Sequence, residues 1–301
     1  MDIKPFHRPG QVAHGLFGEH TSTLDWCEDN YVHFMFIAET WNSLSNIPFV
    51  LLAAHGMMKT LRENLPNQKR YAFCHAMIAF IGLGSFAFHA TLLWHAQVLL
   101  DELPMIYASF QAIYCILLEG RPSSSLSPKI ICTVLPALFT ALYIAYPNPI
   151  FHQVVYGALQ LFITYRMQAI LKRFPPDSKL KKDCTHLLKT GTVLTLLAFT
   201  IWNMDNLLCE DITAWRESVG SLGVLSQGHA WWHLLVACGS NRFVVAMIGG
   251  FWALLSARLD ADAGILGLMS GLKEPDSYEV AYNLYAFPYL RRKEGETAKA
   301  K

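Results

Sequence analysis

The chain is short of charge. Only 16% of its 301 residues are charged, where a soluble globular domain carries about a quarter. With 53% hydrophobic residues gathered in runs of membrane length, this argues against a soluble enzyme and for a polytopic membrane protein. Other absences narrow the class further. Residues 1–33 are polar and hold no apolar core of a cleavable signal peptide, so the first apolar run is expected to act as the targeting signal. There is no Asn-x-Ser/Thr acceptor, no internal repeat and no second globular domain. The one low-complexity stretch is Pro122 to Ser127. A net charge of +1 gives no basis for binding nucleic acid.

Seven apolar runs are predicted to span a membrane as helices: 34–58, 71–92, 98–119, 128–147, 150–171, 187–208 and 229–256. The last is expected to be interrupted at Gly239-Ser240-Asn241-Arg242. The fold class is therefore all-α, a seven-helix transmembrane bundle (34–256) between an N-terminal segment (1–33) and a C-terminal tail (257–301). Loop charges orient it. The segments on one side hold only Lys4, Arg8 and Arg216, against 19 Lys and Arg on the other. By the positive-inside rule the N-terminus is lumenal and the C-terminus cytosolic. The charged tail is expected to be partly disordered.

Polar residues then gather at one depth. His89 ends helix 2, His229 and His233 open helix 7, Asp101 opens helix 3 and Asp205 closes helix 6. His229 and His233 stand i, i+4, so both rings leave one helix face. A lone histidine on an apolar helix is usually a satisfied core residue. Three with two carboxylates at one level point to a zinc site with a fourth position for water. On such a site the pKa of water falls to about 7. Asp101 is the candidate to take the water proton and return it to a leaving group. Ser85, one turn before His89, either faces the metal as a hydrogen-bond donor or is a small packing residue in Gly82-Leu83-Gly84-Ser85. A haem is the competing cofactor, but i, i+4 histidines suit one metal ion better than two faces of a porphyrin.

A second cluster lies in Thr23-Leu24-Asp25-Trp26-Cys27-Glu28-Asp29-Asn30, with Glu39 expected inside helix 1. Its oxygen donors suit Ca²⁺; the alternative is a solvated acidic cap on helix 1. Glu39 resists that alternative, because it lies within an apolar run. Of seven cysteines only Cys27 and Cys209 fall on the lumenal, oxidising side. They are either one disulfide or two free thiols. His152 is expected at the lumenal level, lining the cavity or a second shell, and Arg242 deep in the bilayer, where it needs a partner or water.

These residues carry a resemblance. From Ser22 to roughly Arg242 the chain resembles the alkaline ceramidases, seven-helix hydrolases related to the adiponectin-receptor-like proteins. The matching segments are Ser22 to Glu28, Ile37-Ala38-Glu39, Leu100-Asp101-Glu102-Leu103-Pro104-Met105-Ile106-Tyr107, Trp202-Asn203-Met204-Asp205-Asn206 and His229 to His233. The resemblance implies zinc on His89, His229 and His233, with Ser85 and Asp101 completing the catalytic group. It implies structural Ca²⁺ on Asp25, the Trp26 carbonyl, Glu28, Asn30 and Glu39, and a Cys27–Cys209 disulfide. The implied reaction is hydrolysis of a membrane ceramide to a sphingoid base and a fatty acid in endoplasmic reticulum or Golgi membranes. The alternative is a receptor on the same scaffold, disfavoured by the lumenal N-terminus and the small N-terminal segment.

Overall fold

The computed structural model describes residues 14–63, 67–118, 124–174, 177–262, 278–283 and 287–293. Helix dominates. α1 (Thr40–Leu44) and α2 (Asn46–Arg62) are followed by α3 (Gln68–Thr91) and a π-helical turn (Ala96–Glu102) that runs into α4 (Leu103–Leu117). Then come α5 (Leu126–Ala145), α6 (Pro149–Leu171), α7 (Lys179–Leu207), α8 (Cys209–Val219), a 3₁₀ segment (Gly220–Ser226) and α9 (Gly228–Asp262). Two small hairpins complete the chain, β1 (His14–Gly15) with β2 (Gly18–Glu19) and β3 (Tyr278–Asn283) with β4 (Phe287–Arg292).

Five stretches are long and apolar enough to cross a membrane by length and composition: Gln68–Thr91, Leu126–Ala145, Pro149–Leu171, Lys179–Leu207 and one within Cys209–Phe251. Local chemistry sets several boundaries. Asn148 caps α6, its side chain accepting from Ile150 N at 2.9 Å, with Pro149 at the first helical position. Ser178 caps α7 by accepting from Lys181 N at 3.3 Å. Buried Ile106, Ile116, Tyr143, Met167, Ile170, Leu187 and Met247 form the main core between α4, α5, α6, α7 and α9. Apolar residues such as Val134, Leu138 and Leu161 face outward, which suits lipid contact better than water.

Several expected boundaries need correction. The first span, 34–58, does not begin at 34. Residues 34–39 are not helical, and the helix starts at Thr40, breaks at Ser45 and ends at Arg62. Glu39 therefore precedes α1 rather than lying inside it. The cause is the end of α3, whose last carbonyls have no helical partner. Ala38 N donates to Ala90 O at 2.9 Å and Glu39 N to His89 O at 3.0 Å, while Thr21 N and Ser22 N share Leu92 O. The sixth span begins earlier, at Lys179. α9 runs unbroken through Gly239 to Arg242; Gly191 and Gly239 let α7 and α9 approach, a Cβ on either lying 3.2 Å from the other's carbonyl oxygen. Within the tail, β4 lies against α2 and α9. Asn241 Nδ2 donates to Pro288 O at 3.4 Å, and Lys59 Nζ sits 4.3 Å above the Tyr289 ring.

Cys27 and Cys209 form a disulfide across 182 residues, tying the acidic loop to the start of α8, whose Arg216 Nη1 donates to Cys27 O at 2.9 Å. Non-reducing peptide mapping should recover this cross-link. Replacing both cysteines with Ser should lower stability by about 2–4 kcal/mol. Recovery of both residues as alkylatable thiols in folded protein would exclude the bridge.

Candidate metal centre

Two helix ends supply the histidines. His89 lies in the last turn of α3 and has no exposed surface. His229 and His233 occupy the first turns of α9, which begins against Asp205 at the end of α7. The Asp205 carboxylate accepts from Gly228 N at 3.1 Å, satisfying one of the helix's free donors. A Cβ on Gly228 would lie 2.8 Å from Asp205, so glycine is what allows this approach. The three rings are buried, with ligand nitrogens all within 4.8 Å of one another.

The donor set fits zinc. His89 Nε2 and His229 Nε2 are 3.2 Å apart, close to the ~3.3 Å given by two zinc–nitrogen bonds of about 2.0–2.1 Å at the tetrahedral angle. Hydrogen bonds on the far side of two rings fix their tautomers. His89 Nδ1 meets Glu39 Oε2 at 2.5 Å. His233 Nδ1 meets Ser45 Oγ at 2.8 Å, and the Ser45 hydroxyl hydrogen goes to Asn42 O at 2.9 Å. Both Nδ1 atoms therefore donate, which leaves the Nε2 lone pairs free to ligate.

Ser85 and Asp101 adjoin this group. Ser85 Oγ lies 3.3 Å from His233 Nε2, accepts from Asn46 Nδ2 at 3.3 Å and is hydrogen-bonded to Asp101. Asp101 reaches it through the π-helical turn. Pro104 has no N–H for the Leu100 carbonyl four residues before it, so an α-helical turn there lacks a bond. The turn pairs residues five apart, Leu103 N donating to Val98 O, directly before Pro104 in the first turn of α4. The turn abuts α3 at Gly84, where any Cβ would collide with the Leu100 carbonyl. Ser85 stands beside a close helix contact, with its hydroxyl toward the histidines.

Asp25, Trp26, Glu28, Asn30 and Glu39 are all buried in one acidic loop against the histidines. The Trp26 ring stacks on His229 with centroids 3.9 Å apart. Glu39 Oε1 accepts from Trp26 N at 3.1 Å and Oε2 from Asn42 Nδ2 at 3.2 Å. Glu28 caps α1, accepting from Trp41 N at 2.6 Å and Asn42 N at 2.8 Å. The cap expected as solvated is buried. Burial pushes the Glu28 carboxyl up to about 8, with Glu39 adding to the rise and the two backbone donors opposing it.

The other polar residues expected at the histidines' level have partners of their own: Asp205 caps α9 through Gly228 N, and His152 Nε2 lies 2.9 Å from Glu102 O, on the residue after Asp101. Arg242 Nη1 donates to Cys238 O at 3.1 Å. Sequence reasoning missed Asn42, Ser45 and Asn46, which support the His233 side. Their i, i+3, i+4 spacing in an apolar run was the available signal.

Comparison with known proteins accords with this geometry. The ceramidase family model matches residues 18–255. Alkaline ceramidase 3 of Mus musculus is 38% identical over 240 residues, covering 79% of this chain and 86% of its own length. Alkaline ceramidase YPC1 of Saccharomyces cerevisiae is 30% identical over 262 residues, 82% of each chain. An alkaline ceramidase of Arabidopsis thaliana is 29% identical over 241 residues, 76% of this chain and 85% of its own. The chain belongs to the ceramidase family, whose members are amide hydrolases.

Proposed function

We propose that the protein hydrolyses the amide bond of a membrane ceramide, releasing a sphingoid base and a fatty acid, with zinc held by His89, His229 and His233. The observation that carries this reading is the buried three-histidine group, two of whose rings have their outer nitrogens committed to Glu39 and Ser45. Zinc bound there supplies Lewis acidity, lowering the pKa of water to near 7 and polarising a carbonyl. Asp101 takes a proton from the attacking water and delivers it to the departing amine. Ser85 donates its one hydroxyl hydrogen to the Asp101 carboxylate, and once Asp101 has taken up the water's proton that hydrogen is released to the developing oxyanion. Trp26, stacked on His229, keeps bulk water from that side.

In this reading the bundle spans an endoplasmic reticulum or Golgi membrane seven times, α2 and the π-helical turn with α4 adding to the five long apolar stretches. The N-terminus is lumenal, the tail is cytosolic, and the metal centre lies at the lumenal ends of the helices. A scissile amide near the headgroup level meets such a centre without leaving the bilayer. Ca²⁺ is proposed on Asp25, the Trp26 carbonyl, Glu28, Asn30 and Glu39. Supporting it are two neighbouring buried carboxylates, Glu28 and Glu39, whose repulsion a cation relieves.

Purified protein incubated with a ceramide panel and analysed by lipid mass spectrometry should release sphingoid base and fatty acid. Zinc-replete protein that releases neither would exclude the amidase reading. Ala at His89, His229 or His233 should remove zinc and activity together, whereas Ser85→Ala should keep zinc and cost about 10²–10³ in rate. Full hydrolysis with two of the three histidines deleted would rule out metal-dependent chemistry. With zinc held constant, Ca²⁺ added back after chelation should raise both melting temperature and turnover, and Glu39→Ala should lower both. No response in either quantity would reduce the acidic loop to a buried helix cap.

A further inference from the structure

Behind the metal centre lies a second buried polar cluster that the proposed chemistry leaves unused. Three side chains from three elements converge on Glu102. Its Oε1 accepts from Gln97 Nε2 at 3.0 Å, and its Oε2 accepts from the Tyr143 hydroxyl on α5 at 2.7 Å. Its backbone carbonyl faces His152 Nε2 on α6 at 2.9 Å. Gln97 in turn pairs twice with Thr23. Thr23 N donates to Gln97 Oε1 at 2.8 Å, and Gln97 Nε2 donates to Thr23 Oγ1 at 2.7 Å. The cluster thus links the acidic loop, the π-helical turn, α5 and α6.

An apolar residue would fill this position without the desolvation penalty of a carboxylate. What the hydrogen bonds add is direction. Glu102 follows Asp101 on a turn whose pairing is rare and confined to single turns within helices. On one side the turn rests on α3, through Leu100 against Gly84 and Asp101 against Ser85. On the other, Glu102 is clasped through both its carboxylate and its carbonyl. We propose that Glu102, held by Gln97, Tyr143 and His152, is the positioning residue that aims Asp101 at Ser85 and the histidines. This rests on the amidase reading of Asp101. Glu102 touches neither substrate nor metal; it sets the rotation of the turn, and a small swing of Asp101 is enough to lose the proton transfer.

The test uses the full chain in lipid nanodiscs. Glu102→Ala should keep its zinc, lower kcat about 10–100-fold and leave KM within about 2-fold. Glu102→Gln should recover most of that loss, because its amide oxygen accepts from Gln97 while its NH₂ donates to Tyr143. In an Asp101→Asn background, Glu102→Ala should cost nothing further. Amide hydrogen exchange across residues 93–107 should rise in Glu102→Ala with or without zinc. Rate losses that multiply with Asp101→Asn, an unchanged kcat, or unchanged exchange would each overturn the proposal. Should Glu102→Ala not fold, Tyr143→Phe decides it by the same exchange and double-variant readouts. A wild-type protein inactive on ceramide would strike the amidase reading instead, and exchange, which needs no substrate, would still decide whether Glu102 holds the turn.

Discussion

Glu39 has no exposed surface, and a carboxylate so placed must be met by donors. Trp26 N, Asn42 Nδ2 and His89 Nδ1 meet it, one from the acidic loop, one from α1 and one from α3. One side chain therefore fixes the tautomer and ring plane of His89 and holds the loop that carries Trp26 over His229. The backbone repeats the link, Glu39 N donating to His89 O at 3.0 Å. The three-histidine group and the acidic loop are thus one folded unit. The histidine cannot turn without disturbing the loop, and the loop cannot leave without stranding a buried charge.

Much of this centre was legible because its parts are local patterns. The i, i+4 histidines, a histidine at the end of one apolar run and an aspartate at the start of the next all declare themselves by spacing. Compartment singled out Cys27 and Cys209 but left one disulfide or two free thiols open. What stayed hidden depends on contacts distant in sequence. Residues 34–38 read as the start of a helix, yet Phe34, Met35 and Phe36 are exposed while Ala38 and Glu39 bond the end of α3. Nothing in a window around residue 38 encodes a partner at residue 90. The run at 239–242 read as an interruption of the last apolar span; beside Gly191, Gly239 is instead what brings two helices together. The tail read as partly disordered from its composition, and which part of it would fold was not legible: Val280 and Leu290 are buried in the main core. Pro104 was visible throughout, while the π-helical turn that precedes it leaves no mark in the local pattern.

The centre stands at helix ends, where backbone groups lack intrahelical partners. That is a liability inside a low-dielectric bundle, and the fold resolves it with the segments the chemistry uses. The free carbonyls at the end of α3 take their donors from residues 21–22 and 38–39, which places the acidic loop. A free N–H at the start of α9 takes its acceptor from Asp205, which places His229 and His233. Glycine completes both arrangements, since Gly84 admits the turn carrying Asp101 and Gly228 admits Asp205. Each glycine is the immediate neighbour of a site residue, Ser85 in one case and His229 in the other. The reach of the reactive side chains is thereby set by positions that have none, through how near one backbone can come to another. Satisfying helix termini and bringing the three histidines together are, in this bundle, the same construction.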